Sequence, residues 1–144
     1  MDPDLEQAYR QTTYVALTPH GELYIRIGEP HHELDALLTS HDAEEWAYIT
    51  AWNPKSERLT DKENRARQRQ LEVELHQAGY AVFAGRGVPD NDDWDPEESL
   101  LVVGIPRQNA VDFGMRYDQN AIVYGRSGTP AELVWCTSED GVPG

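Results

Sequence analysis

Seven consecutive residues, Trp46-Ala47-Tyr48-Ile49-Thr50-Ala51-Trp52, carry a nearly continuous apolar surface and stop at Asn53-Pro54. A run that short, rich in aromatic and β-branched residues and ended by a turn signal, reads as a strand. Because both alternating sets of side chains are apolar, the strand is expected to be covered on both faces. Ser99 to Ile105 has the same character and reads as a second buried strand. A chain built around two such strands is a layered domain, with helices packed on a sheet.

The remaining segments supply those layers. Residues 3–11 read as a short helix. Thr12–Leu17 and Glu22–Ile27 read as a hairpin turning at Pro19-His20-Gly21, with Leu23, Ile25 and Ile27 on one face and Tyr24 and Arg26 on the other. Gly28-Glu29-Pro30 reads as the opening of a helix along which Leu34, Leu37, Leu38 and His41 share a stripe. Thr60-Asp61-Lys62-Glu63 has the spacing of a capping box, and Gly79 stops the helix that follows. Tyr80–Ala84 is a strand that leads into a turn at Gly85-Arg86-Gly87. Pro106 opens a helix to Arg116, and Asn120–Tyr124 with Glu132–Cys136 make a terminal hairpin. The expected fold is a single α/β (α+β mixed) domain over residues 1–136. Its mixed sheet has six to seven strands with helices packed on it, and residues 137–144 form a flexible tail.

Connection lengths then order the strand ends. The helix between the Trp46 strand and the Tyr80 strand returns the chain in the same direction, so a parallel neighbour is expected and both strands end at one edge, the top. The acidic loop 88–98 is too short for another crossover, so Ser99–Ile105 runs down, and the 106–116 helix climbs back to Gln119 and Asn120. Asn53, Ser56, Arg86, Trp94, Glu98, Gln119 and Asn120 are thereby brought to the top, together with Asn64 and Arg67 from the first turns of the 60–78 helix. Ligands of open α/β sheets sit beyond the carboxyl ends of strands. Amides and hydroxyls orient a ligand by hydrogen bonds, and arginines add charge-assisted donors.

Ile49-Thr50-Ala51-Trp52-Asn53-Pro54-Lys55-Ser56, then Asn64 with Arg67 and Leu71, then Trp94–Val103, then Gln119-Asn120-Ala121-Ile122-Val123 together resemble a bacterial family, domain-of-unknown-function family 3293. The resemblance covers most of the chain and implies a bacterial, cytoplasmic protein. It carries no agreed catalytic residue onto this sequence.

Each candidate also has a structural reading. Asn53 and Ser56 build turns, and Asn64 and Gln119 can satisfy buried backbone. Gly85-Arg86-Gly87 lacks the spacing of a dinucleotide fingerprint or a P-loop. Residues 90–98 hold six carboxylates, but an EF-hand read from Asn91 would put Pro96 where glycine is required, so a solvated loop is expected. Glu98, beside a buried strand, is either an ion-pair partner of Arg67 or Arg86 or a general base. Trp94 is a lid over the edge or a stacking platform. Trp46, Trp52 and Trp135 read as core, as does His41. His31, His32 and Asp35 lack a companion ligand cluster, and no CxxC or HExxH motif occurs, so no metal and no cofactor is expected.

A net charge of −14 repels phosphate backbones and anionic membranes, so neither direct nucleic-acid binding nor membrane association is expected. No secretory signal is read at the start, Met1-Asp2-Pro3-Asp4. One cysteine, Cys136, excludes an internal disulfide and reads as a small apolar residue at a strand end. Three readings compete. The first is a small anionic or nucleotide-like ligand at the upper edge, the second an acidic protein-interaction module or nucleic-acid mimic without catalysis, and the third a purely structural edge with function in an oligomeric interface. Whether a reaction is catalysed, and the oligomeric state, are left open by the sequence.

Overall fold

The structure is a computed structural model that describes residues 3–52, 58–90 and 96–136. Among these residues, four helices and seven strands follow the order α1 (Pro3–Arg10), β1 (Thr12–Thr18), β2 (Gly21–Ile25), α2 (His32–Ser40), β3 (Glu45–Ile49), α3 (Asp61–Gln77), β4 (Ala81–Pro89), β5 (Glu97–Val103), α4 (Arg107–Arg116), β6 (Ala121–Arg126) and β7 (Glu132–Trp135). They form one α+β domain. The strands make a single sheet in the order β2-β1-β4-β5-β3-β6-β7, antiparallel at every strand pair.

The two central strands, β5 and β3, are the buried runs that the sequence marks. β3 and β4 do point the same way, as the crossover through α3 requires, but they are not neighbours. β5 lies between them and pairs with both. A helical crossover fixes relative direction and leaves room for a third strand, here Glu97–Val103.

Two apolar layers enclose the sheet. On one face α3 and α4 cover Ala47, Ile49, Leu100, Val102 and Ile122, with Leu71, Leu75, Ala110 and Phe113 contributed by the helices. On the other, Leu34, Leu37 and Leu38 of α2 pack on Leu23, Ile25, Trp46, Leu101 and Val103, and Tyr9 of α1 packs against the same cluster. The alternation read in Glu22–Ile27 holds: Leu23 and Ile25 are fully buried and Tyr24 is exposed.

The sheet curls toward the α2 face. Ile27 beyond β2 and Ala131 before β7 form a parallel bridge, with the Gly28 N–H donating to Ala131 O at 2.7 Å and the Ala131 N–H to Glu29 O at 3.2 Å. Both bridging residues belong to the α2-side core, so the two edges meet on that side. Gly85 marks a corner of the curl. A Cβ there would collide with the Val15 carbonyl oxygen and lie 2.8 Å from the Tyr48 hydroxyl. Gly85, Arg86 and Gly87 therefore lie inside β4 rather than in the expected turn, because glycine serves close approach here and not chain reversal.

Other local expectations shift for identifiable reasons. Pro30 precedes α2, whose N-cap is His31: its Nδ1 accepts the Leu34 N–H at 3.1 Å. His41 is the C-cap and is exposed, packed edge-on against Phe83, rather than a core residue. The capping box of α3 is present, with Thr60 and Glu63 exchanging hydrogen bonds. Cys136 is buried against Gly114, where any Cβ would meet its sulfur at 2.5 Å. Residues 137–144 lie outside the described residues.

Candidate functional site

β3 ends at Ile49, and Thr50-Ala51-Trp52 leave the ladder at the top of the sheet. Their backbone groups need partners, and side chains from two other elements supply them. The Gln68 Oε1 accepts the Ala51 N–H at 2.9 Å. Arg67 donates through Nε to Ala51 O at 3.1 Å and through Nη2 to Tyr117 O at 2.5 Å, with its guanidinium 5.6 Å from the Tyr117 ring centroid. The Gln119 amide donates to Trp52 O at 3.3 Å and to Tyr117 O at 3.2 Å. Thr50 donates to Glu98 O at 2.6 Å and accepts the Trp52 N–H at 3.0 Å. Arg67 and Gln119 thus bracket the end of β3 against the end of α4. Asn64 is 1% exposed, and its amide reaches Leu59 O at 3.4 Å. Asn64, Arg67 and Gln68 all stand on the α3 side of the sheet.

Behind this bracket, on the α2 side, a cavity of about 260 Å³ lies between α1 and the upper half of the curled sheet. Leu5, Ala8 and Tyr9 of α1 form one wall. Thr12, Tyr14, Tyr48, Gly87, Pro89 and Val123 form the sheet wall, and Thr50, Arg58, Glu97, Ser99, Gln119 and Asn120 add polar groups. Ala121 and Ile122 also line it. The volume equals that of about nine liquid waters.

α1 is held over the cavity by a few specific contacts. None of its residues is fully buried. The Tyr14 hydroxyl donates to Tyr9 O at 2.8 Å, and the Tyr9 ring meets Trp135 edge-on at 6.0 Å. Arg26 ties the C-terminal end of α1 to the end of β4, donating to Arg10 O at 3.2 Å and to both Asp90 carboxylate oxygens at 3.0 and 3.1 Å. That pairing holds the Asp90 carboxyl below its usual value. Burial pushes the phenols of Tyr9, Tyr14 and Tyr48 well above the usual range, so all three keep their protons at neutral pH.

Gln119 and Asn120 from the sequence candidates line this cavity, with the backbone neighbours Gly87, Glu97 and Ser99 of others. Asn64 and Arg67 are not among its lining residues, although Arg67 shares the Tyr117 carbonyl with Gln119. Arg86 is exposed and pairs with Glu22 at 3.8 Å, and Glu98 is exposed in register with Arg86, offering its main-chain oxygen to Thr50. Asn53, Ser56 and Trp94 lie outside the described residues. The tyrosines and Thr50 were hidden within strands that read as core. Their signal was the hydroxyl, because a tyrosine in a buried strand requires a hydrogen-bond partner.

Among the described residues, no group of three or more His, Cys, Asp or Glu is placed to hold a metal ion, and no helix is long and apolar enough to cross a membrane. A family model described as "Protein of unknown function (DUF3293)" matches residues 49–122, half of the chain. No curated protein and no solved structure matches.

Proposed function

The chain belongs to the DUF3293 family, and we propose that it binds a small, planar molecule in the cavity between α1 and the curled sheet. One observation carries this reading: a concave space of about 260 Å³ whose walls are aliphatic groups and tyrosine rings and whose polar groups gather at the strand ends. Binding sites for small molecules have this make-up, an apolar body with few placed polar groups. The tyrosine rings suit a flat partner, such as a nucleobase or another aromatic heterocycle, which they can stack on or meet edge-on.

Thermal denaturation of the full chain against adenine, nucleosides, indole and nicotinamide tests the reading. A ligand at a hundred times its dissociation constant adds about 2.7 kcal/mol to stability. Ala8 is exposed on α1 and lines the cavity, so Ala8→Trp fills the space without disturbing the core. A stabilising compound whose effect disappears in Ala8→Trp is the expected result. A stabilisation that survives in that variant, or none from the whole series, sinks the proposal.

A further inference from the structure

We infer that the cavity selects a ligand that donates hydrogen bonds, a planar molecule bearing an amino or amidinium group, over one that is anionic. This rests on the cavity reading above and adds the ligand's chemistry to it. Four hydroxyls of the wall already donate their protons to carbonyls within it. Tyr48 donates to Val15 O at 2.7 Å, Tyr14 to Tyr9 O and Thr12 to Ala8 O at 2.8 Å each, and Ser99 to Glu97 O at 3.1 Å. Ser99 and Thr12 also stand within reach of the Tyr48 and Tyr14 oxygens, so either arrangement keeps their protons in the wall. A hydroxyl has one proton and two lone pairs, so lone pairs are what these groups have left to offer.

The other polar groups add to the same sign. Both Gln119 amide protons go to the Trp52 and Tyr117 carbonyls, which leaves its oxygen. Glu97 brings a carboxylate, which accepts only. Among the described residues, the side-chain donors of the lining not yet accounted for are the Asn120 amide, the Tyr9 hydroxyl and Arg58, an exposed residue. An anion placed against a wall of lone pairs would leave its own acceptors unpaired and lose its hydration, a penalty that an amino group avoids. Tyrosine faces attract a cation, and a chain of net charge −14 raises the local concentration of one.

Benzamidine, benzamide and benzoate share one ring and differ in whether the head group donates, does both, or accepts. Each is titrated into the full chain, with amide chemical shifts of Ser99 and Ala121 reporting on the cavity. Benzamidine is expected to bind about tenfold or more tighter than benzoate, the scale of one charge-assisted hydrogen bond. Glu97→Gln is expected to narrow that gap. Benzoate binding in the cavity as tightly as benzamidine overturns the donor preference and leaves the cavity reading standing. Failure of all three to move the Ser99 and Ala121 signals removes both.

Discussion

Arg67 does the work of several backbone partners at once. Its fork spans Ala51 O and Tyr117 O, two carbonyls that no ladder reaches, from a half-buried position. Replacing it with alanine leaves both acceptors without that donor and is expected to destabilise the fold by about 2–4 kcal/mol, from the loss of two hydrogen bonds to a charged group. Lysine, a point charge without a planar fork, should recover less than half of the loss. Urea unfolding of the two variants measures both. An Arg67→Ala variant as stable as the parent would mean that water replaces the bracket without penalty.

At the scale of elements, α1 is the least anchored helix, and its tether is electrostatic. Asp90 titrates below its usual value of 3.8 because Arg26 stabilises its charged form. A depressed carboxyl contributes stability above its unfolded pKa and loses it as the pH falls through the lower, folded one. The tether therefore holds at neutral pH and weakens below 3.8. Arg26→Ala should reproduce at pH 7 what acid does, faster hydrogen exchange and proteolysis within Pro3–Arg10, while amides of β3 and β5 stay protected. Equal protection of α1 in parent and variant would show that Tyr9 and Tyr14 alone hold it.

The elements themselves were largely legible, and their partnerships were less so. Period-two alternation placed β2, and the Thr60 capping box placed the start of α3, because both signals are local. The Gly85–Gly87 segment read as a turn because a glycine pair looks the same whether it reverses the chain or admits a carbonyl from a neighbouring strand. Only the approach of Val15 and Tyr48 distinguishes the two. The upper edge was legible from strand directions, which gathered Gln119 and Asn120 there. The individual contacts were not legible: Arg67 meets Gln119 at the Tyr117 carbonyl, while the Asn64 amide turns to Leu59 O, and neither Asn64 nor Arg67 lines the cavity. The role of α1 left no local trace, since its contacts come from residues far along the chain.

For the whole molecule, charge opposes compaction. Exposed carboxylates stand on α1 (Asp4), β2 (Glu22), α2 (Glu33) and α3 (Asp61, Glu72), so repulsion acts around the fold rather than across one face. The ion pairs that counter it are mostly solvent-exposed, such as Arg10–Glu6 and Arg107–Glu132, and contribute little each. Screening the net −14 is therefore expected to stabilise the protein, with Tm rising by a few degrees between about 10 mM and 500 mM sodium chloride, as the Debye length falls from about 30 Å to about 4 Å. A falling Tm would mean that the local pairs outweigh the global repulsion.

The bridge between Ile27 and Ala131 also sets an order of events during synthesis. The first hairpin leaves the ribosome roughly a hundred residues before the strand end that closes against it. At about 5–20 residues per second, that interval lasts about 5–20 s. During it the strands and helices between them are added one by one, and until Ala131 emerges the curl cannot close. The concave side of the sheet, with the cavity in it, consequently reaches its final shape only after residue 131 has been made.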